Sequence, residues 1–363
     1  MKTTAIVEVQ TAKEIQTTEK TFEMYVEEWL ASLTNNIKRK KTASARTLST
    51  YRYNIKVFKD WVDAEGIDLS AADEDVIAAY KTAMNDKNFS VSTKNLYLTT
   101  VRCFYKWLAT EYGVKNITKG FQGWEVTRDH KRGTLNLQEM RKLLATVTET
   151  IRQAENDKEL TAVKRKIAVL KAKRDKAILS ALMAGGLRTV EVSRLRVGDI
   201  FCEAGVCYLN VLGKGRSEKE IVKISRQAYD VIREWQDARE AVGVDVVKDD
   251  SPLFCSVASN SFGEDLTTYS ISRLVKNYLR AAELKEKTSS EFNADGKKIE
   301  KTKPIVAHSL RASMATQSYL NGAKLDQIKQ QLRHRNVETT MIYVREAEKS
   351  LNPCSDLISA AIF

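Results

Sequence analysis

Proline is scarce in this chain. There are three in 363 residues, Pro252, Pro304 and Pro353. Proline breaks helix interiors and is kept out of central strands, so a chain this poor in it suits an α-rich fold. Cysteine is sparse too. The five, Cys103, Cys202, Cys207, Cys255 and Cys354, are an odd set with no C-x-x-C pair. Neither a disulfide framework nor a zinc site is expected from that spacing. They are read as small buried hydrophobes in a reducing compartment. No apolar run is long enough to span a bilayer. The N-terminus, Met1-Lys2-Thr3-Thr4-Ala5-Ile6-Val7-Glu8, meets an acid before any secretory stretch forms. A cytoplasmic protein with no membrane partner is expected. The phosphate loop G-x-x-x-x-G-K-[ST] is missing, and so are internal repeats and low-complexity tracts. Histidine is as scarce as proline, with three residues.

Positive charge is abundant. Lys+Arg 59 against Asp+Glu 47 gives a formal net charge of +12. Such an excess points to a polyanion, nucleic acid first, although a solvated basic surface would give the same sum. At 43% hydrophobic the chain can build a core and is not disordered wholesale. Its length suits two or three domains.

Residues 1–20 are polar and read as a loose arm. Four segments with helical period follow, a helical domain over 21–118. Phe22, Tyr25, Val26, Trp29, Leu30 and Leu33 form one face, and Leu48, Tyr51, Ile55, Phe58, Trp61 and Val62 a second, which Gly66 ends. Val76, Ile77 and Tyr80 mark a shorter helix. Ser90 opens the fourth, with Leu96, Val101, Phe104, Trp107 and Leu108 as its stripe and Gly113 as its stop. These aromatics read as bundle core. Polar clusters lie at two helix starts: Arg39, Lys40, Lys41 and Thr42, then Thr93 and Lys94. Hydroxyls and lysines there suit phosphate oxygens, though any one such cluster is ordinarily solvated surface. Residues 119–134 lack period and end in basic residues, Lys131 and Arg132 among them. They read as the interdomain linker.

A second domain runs from 135 to 363. Leu137 to about Thr148 is expected as a helix with Asn136 as cap. The charged stretch 149–175, with Leu160, Val163, Ile167 and Leu170 at helical spacing, is expected as a protruding helical hairpin or one long helix. Asp175–Ala184 is a more apolar helix ending at Gly185-Gly186. Val206–Leu212 and Glu220–Ile224 flank a Gly-rich basic turn containing Lys214 and Arg216, and read as a hairpin. The remainder is expected to be helical apart from a polar loop at about 285–303.

Chemistry concentrates in this second domain. Two arginines, Arg188 and Arg311, can hold the non-bridging oxygens of a phosphodiester as charge gathers on them. His308 lies three residues before Arg311 on one predicted helix face, where it can hold phosphate or take a proton. Lys214, at a hairpin turn, can protonate a leaving 5′ oxygen. Tyr343 can be the nucleophile, its phenol (ordinary pKa ~10) helped by nearby cations. Singly these would be a surface arginine, a turn lysine and a packed tyrosine. Two of the three histidines, His308 and His334, fall inside the constellation, which makes chance a weaker explanation.

The segments Gly186-Leu187-Arg188-Thr189-Val190-Glu191-Val192, Gly213-Lys214-Gly215, His308-Ser309-Leu310-Arg311, Leu332-Arg333-His334 and Tyr343 resemble the motifs of the tyrosine recombinase family, of the phage-integrase type. Each motif is weak alone; together and in order they are highly specific. The resemblance covers about 135 to the end, and the helical part resembles the family's SAM-like core-binding domain. It implies a mainly α fold with a small antiparallel β-sheet in the catalytic domain, and a two-domain C-shaped clamp on double-stranded DNA. It implies Arg188 and Arg311 as phosphate clamp, Lys214 as general acid, His308 and His334 as the supporting pair, Tyr343 as nucleophile forming a 3′-phosphotyrosine, and Glu191 positioning the site. No cofactor, ATP or metal is implied. Four protomers are implied on two DNA sites, with a Holliday junction between strand exchanges and room for an accessory directionality factor. A bacterial cell, or a phage or mobile element of one, is the implied setting.

Two departures stand out. Arg333 occupies a position where the family often has glycine, and is expected to add charge near the phosphate. The 149–175 stretch is longer than expected and could meet DNA or a neighbouring protomer. The apolar tail Leu357-Ile358-Ser359-Ala360-Ala361-Ile362-Phe363 needs a partner surface, either a neighbouring subunit or its own domain. Only about twenty residues precede the first helix, which argues against an arm-binding domain. A type IB topoisomerase, an inactive DNA-binding or architectural protein, and a basic helical scaffold are the rival readings.

Overall fold

The computed structural model describes residues 20–35, 42–126, 132–213, 215–243, 247–292, 297–352 and 354–362. The chain divides into two compact units, Met1–Thr127 and Arg128–Phe363. The expected arm, residues 1–20, lies outside the described residues but for Lys20.

The first unit is built from α1 (Phe22–Asn35), α2 (Ala45–Ala64), α3 (Glu74–Asp86) and α4 (Val91–Tyr112). Three of these begin at side-chain caps. Ser44 accepts from Thr47 N–H, Asp73 from Asp75 N–H and Ser90 from Thr93 N–H, which satisfies donors that a helix start leaves orphaned. Gly113, at φ +70°, ends α4 in the left-handed region. The apolar stripes meet in one aromatic core. Trp29, Phe58, Tyr80 and Phe104 are buried, and Phe58 meets Tyr80 edge-on with ring centroids 4.9 Å apart.

Leu96 departs from its expected stripe and is exposed; Tyr97, Val101, Tyr105 and Leu108 form the buried face instead. The first half of the expected linker is also docked. Phe121 and Trp124 pack on the helical core. The Asn95 amide donates to the Trp124 carbonyl and accepts from its N–H, both at 2.8 Å.

In the second unit α5 (Leu137–Asn156) starts in a capping box between Asn136 and Glu139. It runs past Thr148, because Leu143, Val147 and Ile151 continue one buried stripe. A short connection leads to α6 (Ala162–Ala184), which packs back on α5. Stretch 149–175 is therefore a helical hairpin made from the ends of two long helices. Val163 is exposed there, and Ile151 and Leu170 carry the burial. The later half of α6 buries Ala177, Ile178, Leu179, Ala181 and Leu182 completely. A helix apolar on every side belongs at the centre of a domain, and this one is the spine of the larger core.

The short helix α7 (Thr189–Val192) precedes an antiparallel sheet, β1 (Ile200–Glu203), β2 (Val206–Leu212) and β3 (Lys219–Ile224), in that order. Strand β1 was not expected; four residues are too few to show a period of two. Ala204 and Gly205 turn β1 into β2 with φ +48° and +79°, as two-residue hairpin turns of the primed types require. That turn sets Cys202 opposite Cys207, with Cα atoms 4.1 Å apart, and a disulfide joins them. The expectation of five unpaired cysteines is corrected here. Directly opposed positions across a tight hairpin bring side chains close, a relation that cysteine spacing alone does not reveal.

The chain continues through α8 (Arg226–Glu240) and α9 (Thr268–Ala281) to a second hairpin, β4 (Glu286–Phe292) with β5 (Lys298–Pro304). A polar loop was expected in its place. Its strands, EKTSSEF and KIEKTKP, carry too few apolar residues to alternate. Four helices close the unit: α10 (Ala307–Leu320), α11 (Leu325–Leu332), α12 (Val337–Leu351) and α13 (Cys354–Ile362). Helices α10 to α12 share a smaller core of Ala312, Met314, Ala315, Ile328, Leu332, Tyr343 and Val344.

Candidate active site

Gly186 turns the chain after α6 with φ +60°. A Cβ there would collide with the Met314 methyl and come within 2.9 Å of Leu332 Cδ2. Conformation and space both demand glycine. Gly186→Ala is expected to destabilise the second unit by about 1–3 kcal/mol, read as a lower thermal midpoint; an unchanged midpoint would show that the turn relaxes freely. The turn aims the Gly186 carbonyl at α10, where Arg311 Nη1 donates to it.

Arg311 is fully buried. Its Nη2 donates to the Leu332 carbonyl and lies 3.1 Å from His334 Nε2. Burial first, then the neighbouring Arg188, pushes this guanidinium down to about 9, which leaves it charged at neutral pH. Arg188 is the N-cap of α7. Its N–H and its Nη1 donate to the two Glu191 oxygens at 2.7 and 2.8 Å. Glu191 is buried and shared. Arg333 Nη2 donates to it at 2.6 Å, and Arg311 Nη1 lies 3.8 Å away. Burial works to raise the Glu191 carboxyl, but Arg333, the Arg188 N–H and Arg311 outweigh it and hold the group below its ordinary value.

His334 sits between Arg311 and Thr340, with Nδ1 3.0 Å from Thr340 Oγ1. Arg311 can only donate, so Nε2 accepts, and the ring proton sits on Nδ1 facing Thr340. Burial, followed by Arg311 and Arg188, pushes the imidazole down to about 3. The folded value lies below the unfolded one, near 6.5. Between those values the unfolded chain binds the extra proton, so stability is intact above about pH 6.5 and is lost as pH falls towards 3. At ~1.4 kcal/mol per unit, unfolding free energy is expected to drop by a few kcal/mol from pH 7 to pH 4. His334→Gln should flatten that slope in denaturant titrations. An equal slope in the variant would assign the loss to other groups.

Tyr343, on α12, places its hydroxyl 2.9 Å from His308 Nε2, in the first turn of α10. Its carbonyl accepts from Thr316 Oγ1 at 2.7 Å. The rings of His308 and His334 lie 6.1 and 5.8 Å from the Tyr343 ring. Burial raises the phenol, and Arg311, Arg188 and Arg132 oppose without cancelling it.

Six expected residues therefore converge: Arg188, Glu191, His308, Arg311, His334 and Tyr343. Lys214 lies outside the described residues, as do Arg39, Lys40, Lys41 and Lys131. Of the other residues expected on DNA, Arg216 pairs with Glu220 at 2.7 Å. Lys94 donates to Asn85 at 3.2 Å and lies over the Trp124 ring. Thr93 exchanges a hydroxyl contact with the Ser90 cap. Thr42 and Arg132 are exposed. Arg333, whose charge is expected near the phosphate, is buried and pairs with Glu191 at 2.6 Å. Sequence reading missed Thr340, Thr316 and the two carbonyls that hold Arg311. For Thr340 the available signal was its place one turn before Tyr343.

A family model described as the phage integrase family matches residues 149–350, and one described as the phage integrase N-terminal SAM-like domain matches residues 26–112. Among curated relatives, tyrosine recombinase XerC of Halalkalibacterium halodurans is 26% identical over 338 residues, covering 91% of this chain and 96% of its own. Tyrosine recombinase XerD of Lacticaseibacillus casei is 26% identical over 309 residues, 85% of this chain and 90% of its own. Among solved structures, a XerH site-specific recombinase bound to a palindromic difH substrate shares the fold with a TM-score of 0.66 and 18% identity, over 92% of this chain and 95% of the other. A lambda integrase tetramer bound to a Holliday junction gives a TM-score of 0.56 at 16% identity, over 90% and 77%.

Proposed function

We propose that this chain, which belongs to the phage integrase family, is a site-specific tyrosine recombinase that cuts and rejoins duplex DNA through a 3′-phosphotyrosine and a Holliday junction. One observation carries the reading: the Tyr343 hydroxyl lies 2.9 Å from His308 Nε2 beside the buried Arg311. In the proposed step Tyr343 Oη attacks phosphorus and its proton passes to His308. The bond to the 5′ oxygen breaks, and that oxygen takes a proton from Lys214. Arg188 and Arg311 hold the non-bridging oxygens through the transition state. Glu191 fixes Arg188, and the neutral His334 steadies Arg311. Rejoining runs the same path backwards, with a 5′ hydroxyl attacking the phosphotyrosine and Tyr343 regaining its proton. The ester keeps the bond energy, so no nucleotide is spent.

The partner would be double-stranded DNA, bound by a homotetramer on two recombination sites. Thr42, Thr93, Lys94, Arg132 and Arg216 are the candidates for backbone contacts among the described residues. The biological task would be movement of a mobile element or resolution of dimers. Helix α13 exposes Leu357, Ile358 and Ile362, and this apolar face is assigned to the neighbouring subunit. Ending the chain after Asn352 should leave the thermal midpoint within a few degrees and abolish tetramers on DNA in sedimentation runs. Tetramers that survive would return the helix to its own domain.

Covalent trapping tests the central reading. Full-length protein is incubated with nicked suicide duplexes drawn from DNA flanking the gene, and an SDS-stable adduct is sought. An adduct that then joins a second duplex supports a recombinase. Relaxation of supercoiled DNA without joining would favour a type IB topoisomerase. Salt-sensitive binding with no adduct would mark a binding protein.

A further inference from the structure

Arg333 is an unusual choice for its backbone. It adopts φ +57° at the end of α11, a conformation that glycine takes without cost and side chains resist. Its charge is also buried, with the side chain 5% exposed. A residue serving only to fill this space would be better apolar, since a buried charge is costly unless paired. The pairing is specific. Nη2 donates to Glu191 Oε2 at 2.6 Å and Nη1 to the Gln331 carbonyl at 2.8 Å. Two residues earlier, Gln331 Nε2 donates to the Lys223 carbonyl on β3 at 2.8 Å. Glu220, also on β3, lies close enough to favour the charged form of Arg333, and pairs in turn with Arg216 at 2.7 Å. Residues 331–333 thus bridge the Glu191 carboxylate and the hairpin whose turn contains Lys214.

We propose that Arg333 is a positioning residue for strand cleavage: it locks Glu191 in the orientation that presents Arg188 and ties the β2–β3 hairpin to the same carboxylate. This rests on the recombinase reading. Arg333 itself does not touch the phosphate. It acts through Glu191, which Arg188 needs as an ionised two-oxygen acceptor, and Arg333 is the largest of the charges that keep Glu191 ionised against burial.

The test uses full-length R333Q, R333K, R333G, E191Q and the R333Q/E191Q double variant with the nicked suicide duplexes. Three readouts are taken: single-turnover adduct formation at saturating DNA, duplex affinity at two salt concentrations, and thermal unfolding. R333Q is expected to slow adduct formation roughly 10–100-fold, by analogy with the loss of hydrogen-bond partners that orient metal-ligating side chains, with affinity and salt dependence kept. R333K should recover part of the rate. R333G should be as slow as R333Q although it eases the backbone. In R333Q the acid limb of the pH–rate profile should move to higher pH, because Glu191 loses the charge that holds its value down. The double variant should be no slower than E191Q alone. Weakened binding with a shallower salt slope and an intact saturated rate would make Arg333 a phosphate contact and overturn the proposal. So would a full rate in R333G, or losses that multiply in the double variant. If R333Q does not fold, R333K decides: a slowed rate with kept affinity supports the proposal, and both kept refutes it. A wild-type protein that forms no adduct sinks the recombinase reading and this inference with it, whereas a wild-type adduct with an unaffected R333Q sinks the inference alone.

Discussion

Tyr343→Phe is expected to lose the covalent protein–DNA adduct completely while still binding duplex DNA. The substitution deletes one oxygen, the atom 2.9 Å from His308 Nε2, and keeps the ring that packs among Ala312, Met314, Ile328 and Leu332. Stability should change by no more than about 1 kcal/mol, the net worth of an ordinary hydrogen bond. Cleavage should fall by roughly 10⁴-fold or more, as when the nucleophile of a covalent mechanism is removed. Affinity should hold, because phosphate contacts set it and its salt dependence. Denaturing gels of wild type and variant on the same nicked duplex read the adduct, and a gel-shift titration reads binding. An adduct that persists in the phenylalanine variant would move the nucleophile elsewhere in the chain.

Arg311→Ala should have the second-largest effect, and a different character. Arg311 is fully buried and joins three segments: the Gly186 turn, the end of α11 through the Leu332 carbonyl, and His334. Removing the guanidinium leaves two carbonyls and an imidazole without their donor inside a close-packed site. Each such loss costs ~1–3 kcal/mol, so a destabilisation of about 3–5 kcal/mol is expected. It should accompany a cleavage defect of roughly 10³-fold or more. Arg311→Lys should spare part of the stability but little of the activity, because an ammonium cannot reproduce a planar fork of donors. Chemical denaturation and single-turnover cleavage separate the two effects. A stable, fast alanine variant would mean that Arg311 is neither a strut nor a phosphate ligand.

The residues converging on this site were legible because of their order and spacing, and because histidine is scarce in the chain. Two of three histidines, an arginine just after a double-glycine break, a second arginine three residues after a histidine and a tyrosine stand in a fixed order, and the fold brings Arg188, His308, Arg311, His334 and Tyr343 together. The helices of the first unit were legible because aromatic stripes repeat at helical period over many residues. What stayed hidden depends on partners distant in sequence. Nothing in Glu286–Phe292 announces a strand, since its pairing with Lys298–Pro304 is made by backbone groups that every residue carries. The Cys202–Cys207 bond follows from a turn at Ala204-Gly205. Arg333, which stands where the family often has glycine, read as added charge near the phosphate, and the partner that takes up its guanidinium, Glu191, lies 142 residues away. Residue type told which groups take part, and tertiary pairing decided where each one points.

The shared carboxylate has a consequence for charge stoichiometry. Three guanidiniums, Arg188, Arg311 and Arg333, surround the single anion of Glu191, and His334 is held neutral. These described groups sum to three minus one, a surplus of two positive charges. A phosphodiester at rest carries one negative charge, and the five-coordinate phosphorane of the proposed reaction carries two. Because the attraction scales with the charge it meets, part of it is realised only as the bond breaks. Without Arg333 the surplus would fall to one, and the charge-borne part of that preference would weaken with it.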